Sequence, residues 1–349
     1  MTAVDAEDGM EMKAACAPYP RISDLLTALI LATAPQQVTL AAQAQNPEAD
    51  KSYPDKPIRI IVPFPPGGSN DILGRFMGQR LSELLGQQAV IDNRAGADGI
   101  IGTEIAAKST PDGYTLLVIS ASYAMNPAIH NKLPYDSVRA FAPIALFGVG
   151  PNVISAFPGF QANTLKELIV LAKARPGQIQ YASSGIGGFN HFGGELFKSL
   201  AKVDLVHVPY KGGGPAMVDV IGGHVPVLLS TLVQALPQIR QGKLRALGVG
   251  GDKRSPALPE VPTIAEAGVP GYECTNWWGL LAPTGIAAPR VARLNQAINA
   301  ILKEPEAKKR LAQEATEPEP TTPQVFGKLI AKDISKWSKV AREADIRAQ

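Results

Sequence analysis

From Tyr53 onward the chain alternates short β-branched runs with amphipathic stretches, and nothing else in the sequence constrains the fold as strongly. That alternation is the pattern of parallel strands joined by crossover helices, an α/β architecture. Ile58–Val62 reads as the first strand and 63–70 as a loop. Residues 71–85 read as a helix, with Ile72, Leu73, Phe76, Met77, Leu81, Leu84 and Leu85 on one face and Gly86 as its stop. A strand at 89–92, a Gly-rich turn at 94–99, a helix at 102–108 and a strand at 114–120 complete a first series. Residues 141–156 are strand-rich and lead into a helix at 165–174. A second series follows: strand 179–182, helix 190–201, strand 205–210, a helix begun by Pro215 and ended by Gly222-Gly223, strand 225–230, helix 234–241 and strand 244–249. Beyond a turn-rich bridge at 256–271 come a strand at 277–282, a helix at 289–302 and a terminal helix from Pro323. In that last helix Trp337 falls at core spacing.

The length of 349 residues suits two domains. With both chain ends in the first, the expected division is 53–150 plus 280–349 for domain 1 and 151–279 for domain 2. The chain then crosses between them twice, near 148–152 and 272–279, which makes a hinge with a ligand cleft at the strand carboxyl ends. A formal charge of +3 with 19% charged residues argues against a nucleic-acid binder. Two cysteines, Cys16 and Cys274, exclude a disulfide scaffold or a cysteine metal site.

The first fifty residues follow a different pattern. An apolar run at 25–34 is preceded by Lys13 and Arg21 and followed by Ala42-Gln43-Ala44, the three parts of a secretory signal peptide spanning 1–44. The run is too short for a bilayer, which takes about 20 residues. The acidic start at Asp5, Glu7, Asp8 and Glu11 departs from the pattern, and translation from Met10 or Met12 would repair it. Cleavage after Ala44 removes five acidic and two basic residues, which raises the formal charge to +6 and leaves Cys274 as the one cysteine.

Two glycine loops carry the chemistry. The first, Pro65-Pro66-Gly67-Gly68-Ser69-Asn70-Asp71, joins a strand to a helix, and Ser69 or Asn70 is placed to cap that helix. Free backbone N–H groups there can face an anion. The second, Ser183-Ser184-Gly185-Ile186-Gly187-Gly188-Phe189-Asn190-His191, repeats the arrangement. Each is also compatible with an ordinary strand-to-helix turn. Asp71 would repel an anion, so its expected role is capping and compensation of the helix dipole, with a ligand ammonium as the alternative partner. His191 sits in the first turn of its helix, where it either caps or touches ligand. Lys211 heads a third loop and can offer the cleft one positive charge.

Enzymatic readings of these glycines fail individually. A dinucleotide fingerprint from Gly185 requires glycine where Asn190 stands, no Gly-Lys-Ser/Thr triplet exists for a phosphate loop, and a nucleophile elbow on Ser183 requires glycine where Tyr181 stands. His130, His191, His207 and His224 contain no pair at metal spacing, so neither metal nor cofactor is expected.

Seven ordered segments then resemble the Bug family, the extracytoplasmic solute-binding proteins of tripartite tricarboxylate transporters. They are YPDKPIR with PFPPGGSNDILGR, NRAGADGIIGTEIAAKSTPDGYTLL, LPYD with FAPIAL, YASSGIGGFNHFGGELFK, HVPYKGGGPAMVDVIGGHV, GKLRALGV and GLLAPTGIAAPRVARLN. The resemblance runs from Tyr53 to about Ile346. It implies a periplasmic two-domain binding protein of the Venus-flytrap type, type II-like, that closes on a small carboxylate and hands it to a membrane permease. It further implies that the carboxylate is held by the two loops through backbone and hydroxyl donors, often with ordered waters. Carried over by position, the ligand-binding residues are Gly67, Gly68, Ser69, Asn70 and Asp71, with Ser183, Ser184, Gly185, Gly187, Asn190 and His191. Arg139-Ala140 before Phe141, and 284–288, depart from the family pattern. The resulting expectation is a monomeric, non-enzymatic carboxylate binder. Its rivals are a hydrolase using Ser183 or Ser184 with His191, and a sensor that presents its liganded form to a membrane signalling protein.

Overall fold

The computed structural model describes residues 52–343 and 346–347, so the proposed leader at 1–44 lies outside the described residues. Strand β1 (Ile58–Val62) turns through residues 63–68 into helix α1 (Ser69–Leu85), which Gly86 ends in the left-handed conformation at φ 71°. Strand β2 (Ala89–Asn93), a single 3-10 turn (Ala97–Gly99), α2 (Ile100–Ala107) and β3 (Thr115–Ser120) follow. A helix α3 (Ser122–Ile129) comes next, which the sequence reading did not anticipate. Its six buried residues leave no polar face, so it shows no amphipathic period, and Pro127 masks it further.

Strand β4 (Phe141–Ala156) is 16 residues long and leads to α4 (Leu165–Ala174). The second series is β5 (Ile179–Ser183), α5 (Phe189–Ala201), β6 (Leu205–Pro209), α6 (Gly213–Ile221), β7 (Val227–Thr231), α7 (Leu232–Arg240) and β8 (Arg245–Val249). Pro215 is the third residue of α6, not its first, because the N-cap is Gly212. Strand β9 (Thr275–Pro283), α8 (Ala288–Lys303), α9 (Pro305–Gln313), the two-residue β10 (Glu317–Pro318) and α10 (Pro323–Glu343) complete the chain.

The strands form one sheet in the order β2-β1-β3-β9-β4-β7-β5-β6, with β8 and β10 also paired to β4. Pairing is parallel within β2-β1-β3 and within β6-β5-β7, as the alternation predicts. The centre departs from that reading. β9 runs antiparallel to both β3 and β4, and β4 runs antiparallel to β7 and β8. Because β4 serves both halves, its residues 141–151 pair with β9 in the first half and 152–156 pair with β7 and β8 in the second. Its register shifts near Pro143, Leu146 and Ile154, where regular pleating is interrupted.

The first half buries Ile58, Ile60 and Val62 of β1 against Leu73, Met77 and Leu81 of α1 and Leu294, Ile298 and Ile301 of α8. Burying each such side chain contributes on the order of 1.5–3 kcal/mol. Leu84, assigned to the same face, is 49% exposed. The second half closes around Val153, Leu228, Val220, Leu232 and Leu236. Helix α10 lies on α3 and β4, and its buried Trp337 meets Phe192 of α5 edge-on at 5.6 Å, so this tryptophan packs in the core as its spacing predicts. Among the described residues, no helix is long and apolar enough to cross a membrane.

Candidate ligand-binding site

Every parallel strand of this sheet hands its chain to a helix at the carboxyl end, and five of those helices, α3 among them through Ser122, begin around one narrow cavity of about 40 Å³. The other four are α1, α5, α6 and α7, with N-caps at Gly68, Gly188, Gly212 and Thr231, and in none of these four does the N-cap residue's own side chain bond the helix start. The first N–H groups of a helix have no intrahelical acceptor, so four converging helix starts give this cavity a positive electrostatic lining with no cationic side chain in it. Capping by Ser69 or Asn70 is therefore corrected: Gly68 is the cap, and both side chains lie inside the helix.

What those two side chains do is set by Trp278. Its buried indole N–H donates to Ser69 Oγ at 3.2 Å and Asn70 Oδ1 at 3.1 Å. An indole nitrogen only donates, which fixes the oxygen of the Asn70 amide toward it and leaves the buried Nδ2 without a partner. Across the cavity, Thr231 Oγ1 and Gln234 Nε2 are likewise buried and unpartnered. Asn190 Nδ2 donates to Ser184 Oγ at 3.1 Å while Asn190 Oδ1 has no partner. Ser120, Ser122 and Asn276 complete the polar wall. Ser122 Oγ accepts the Phe189 N–H at 3.0 Å, a bond from the first half of the sheet to the start of a helix of the second. A buried polar group without a partner costs roughly 1–3 kcal/mol, so several unpartnered groups around one cavity mark a place built to be filled by an acceptor-rich ligand.

The two glycine loops are copies of one construction. Gly67 at φ 83° donates its N–H to Asp71 Oδ2, four residues on, at 3.0 Å. Gly187 at φ 80° donates its N–H to His191 Nδ1, also four residues on, at 3.1 Å. The N-caps that follow, Gly68 and Gly188, share an extended conformation at φ −81°, ψ 165° and φ −77°, ψ 166°. Asp71 and His191 therefore brace their loops from behind. Asp71 also accepts from Asn93 Nδ2 at 3.0 Å and pairs with Arg75 at 2.9 Å. Burial raises its pKa, but the bonds from Arg75, Gly67 and Asn93 outweigh that and hold it below the ordinary carboxylate value. His191 stacks on His207 with ring centroids 4.1 Å apart, and burial lowers its pKa, so it adds no charge to the cavity at neutral pH.

Of the eleven residues singled out from sequence, Gly68, Ser69, Asn70, Ser184 and Asn190 line the narrow cavity. Gly185 lines a wider one of about 720 Å³, which shares Phe64, Pro65 and Ser184 with the first and includes Lys211. The remaining five, Gly67, Asp71, Ser183, Gly187 and His191, line neither and stand behind the loops. Ser183 is fully buried, with its Oγ 2.6 Å from His207 Nε2 and 3.2 Å from the Gly185 carbonyl oxygen. His191 Nδ1 already accepts the Gly187 N–H, and neither Ser183 nor Ser184 is bonded to it. Sequence reasoning missed Ser120, Ser122, Gly213, Thr231, Gln234 and Asn276. Thr231 ends, and Gln234 follows, a strand that enters its helix with no glycine loop, so no turn signal drew attention to them.

Comparison with known proteins identifies the family and the fold. The TctC family model, described as the tripartite tricarboxylate transporter family receptor, matches residues 73–346. Protein BugT of Bordetella pertussis (strain Tohama I) is 38% identical over 299 residues, 85% of this chain and 92% of that protein. The solved structure of R. palustris Rpa4515 with adipate has a TM-score of 0.83 and 35% identity, covering 84% of this chain and 99% of that one. MatC (Rpa3494) from Rhodopseudomonas palustris with bound malate has a TM-score of 0.78 and 32% identity, covering 82% and 99%. With the family model spanning most of its length, and a fold shared with these solved proteins, the chain belongs to the tripartite tricarboxylate transporter receptors, a Bug-type periplasmic solute-binding protein.

Proposed function

We propose that this protein captures a small linear carboxylate in the cleft between two lobes, residues 53–150 with 280–349 and residues 151–279, which hinge on β4 and β9. One carboxylate group occupies the narrow cavity, and the rest of the ligand extends toward the wider one, where Lys211 supplies a positive charge. The observation that carries this reading is the set of four helix starts, none capped by its own N-cap side chain, with unpartnered Asn70, Thr231 and Gln234 around a cavity free of charged side chains. Neutral donors hold an anion without the desolvation cost of a buried arginine. The adipate and malate in the relatives' structures support linear diacids as the first candidates to test.

The capture step needs no catalyst. Ser183 is buried against His207, and His191 is engaged by the Gly187 N–H, an arrangement that supports a braced loop over a hydrolytic pair. The leader directs the chain to the periplasm, where it acts as a monomer and delivers its ligand to membrane permease subunits. A thermal-shift panel of mono-, di- and tricarboxylates, aromatic acids and amino acids tests the reading. The matching acid at 100 times its Kd is expected to add about 2.7 kcal/mol of stability. Silence across the panel, repeated by calorimetry, would sink it. Loss of uptake of that acid on deletion of the gene is the expected result for delivery to a permease.

A further inference from the structure

Asp98 lines the wider cavity and not the narrow one, and its setting is costly. It sits in the turn after β2, where Ala97 and Asp98 are both left-handed at φ 46° and 47° between two positive-φ glycines. Left-handed backbone is unfavourable for a residue with a Cβ and persists where the surroundings impose it. Both carboxylate oxygens of Asp98 are buried and neither has a hydrogen-bond partner. The surface that seals them belongs to the other half of the sheet. A Cβ on Gly188, the N-cap of α5, would come within 2.9 Å of Asp98 Oδ1, and one on Gly185 within 3.9 Å. A carboxyl of the first half is thus shut against the second glycine loop.

The groups facing it do not neutralise a negative charge. From α3, Asn126 Nδ2 reaches only the Asp98 backbone carbonyl, at 3.3 Å. His130, past the end of α3, lines the same wider cavity with its Nε2 buried and unpartnered, and burial lowers its pKa. Tyr135 lies beyond α3 with its phenol raised first by burial and in lesser part by Asp98. The first loop contributes Phe64, the second contributes Gly185 to Gly188, and the third contributes Tyr210 and Lys211 to the cavity wall. On its own turn, Arg94 is taken by Asp92 at 2.9 Å.

We propose that Asp98 is a proton-operated latch on the cleft: its carboxyl is neutral when the two halves are together, and its ionised form favours the open cleft. This rests on the reading that the lobes open and close. Burial raises the Asp98 pKa to about 7 in the structure described, whereas an opened cleft returns it to the ordinary value near 3.8. Between those values the closed form is protonated and the open form ionised, so closure strengthens as pH falls. Above about 7 both are ionised, and the closed form bears the whole penalty of a buried unpaired charge.

The test is single-molecule energy transfer between dyes on Lys108→Cys and Val218→Cys, exposed positions on opposite halves. It is run without ligand in a Cys16→Ser background, where the buried Cys274 stays unlabelled. The closed-to-open ratio is expected to rise about tenfold from pH 8 to pH 6. Asp98→Asn, and Asp98→Gly as a second variant suited to the left-handed backbone, should remove that dependence and keep the high ratio at pH 8. A wild-type ratio that is flat with pH, or a slope that survives both variants, would overturn the latch. Closure driven by a diacid but indifferent to pH would defeat the latch and leave the carboxylate reading standing. Closure that follows pH while no acid in the panel binds would do the reverse.

Discussion

Asn70 is the residue on which the proposed site depends most, because one hydrogen bond from Trp278 decides which end of its amide is left without a partner. Asn70→Ala removes the donor and leaves Ser69 to accept from the indole, so the fold is expected to survive. Affinity for the acid found by the panel should fall roughly ten- to a hundredfold, the range for a hydrogen bond to a charged group. Asn70→Asp keeps the acceptor for Trp278 but sets a carboxylate against the ligand, and calorimetry should show no binding with an unchanged unfolding midpoint. His207 gives a second expectation. Burial, with His191 and Lys198 in lesser part, lowers its pKa from 6.5 to about 3. The folded state therefore binds fewer protons than the unfolded one in that interval, so this contribution is complete above pH 6.5 and is lost as pH falls toward 3. Urea midpoints should decline from about pH 6.5 to about pH 4, and the decline should be smaller in His207→Gln.

At the scale of elements, the two glycine loops share a conformation but not surroundings, which separates two costs normally confounded. Gly67 has φ 83° with nothing within 4 Å of where an added methyl would sit, so Gly67→Ala meets only the left-handed penalty, about 1–2 kcal/mol. Gly187 has φ 80°, but a Cβ there collides with Ile129 of α3, so Gly187→Ala should lose more, with the excess recovered in part by Ile129→Ala. Chemical denaturation of the three variants checks this. The glycines, the prolines and the helix stop at Gly86 were legible in sequence because backbone conformations of this kind admit few other residues. The bracing roles of Asp71 and His191 were half legible: capping was expected, whereas the reach back to a glycine four residues earlier depends on loop geometry. Thr231 and Gln234 were not legible, since a serine-threonine strand end followed by an apolar helix has no local mark of a site. α3 escaped for a related reason, because burial on every side erases periodicity.

For the whole molecule, alternating strands and helices correctly indicated an α/β protein, and the cavity proposed as its site lies at strand carboxyl ends. The antiparallel centre was beyond reach, because the pairing of β3, β9, β4 and β7 joins segments far apart in sequence, where local patterning says nothing about direction. That centre matters to function: β4 is shared by both halves and changes partners after residue 151, and β9 joins it there. The two helix sets thereby face each other across the cavity, and Ser122 of one half bonds the first N–H of α5 in the other. The central claim is that a carboxylate is held between those sets by neutral donors. The most direct measurement is a crystal structure with the tightest-binding acid of the panel. The expected result is a carboxylate within hydrogen-bonding distance of Asn70 Nδ2 and Ser184 Oγ, joined by Thr231 or Gln234 and touched by no lysine or arginine. A ligand held only by a carboxylate on Lys211 with none in the narrow cavity, or seated away from all four helix starts, would contradict it.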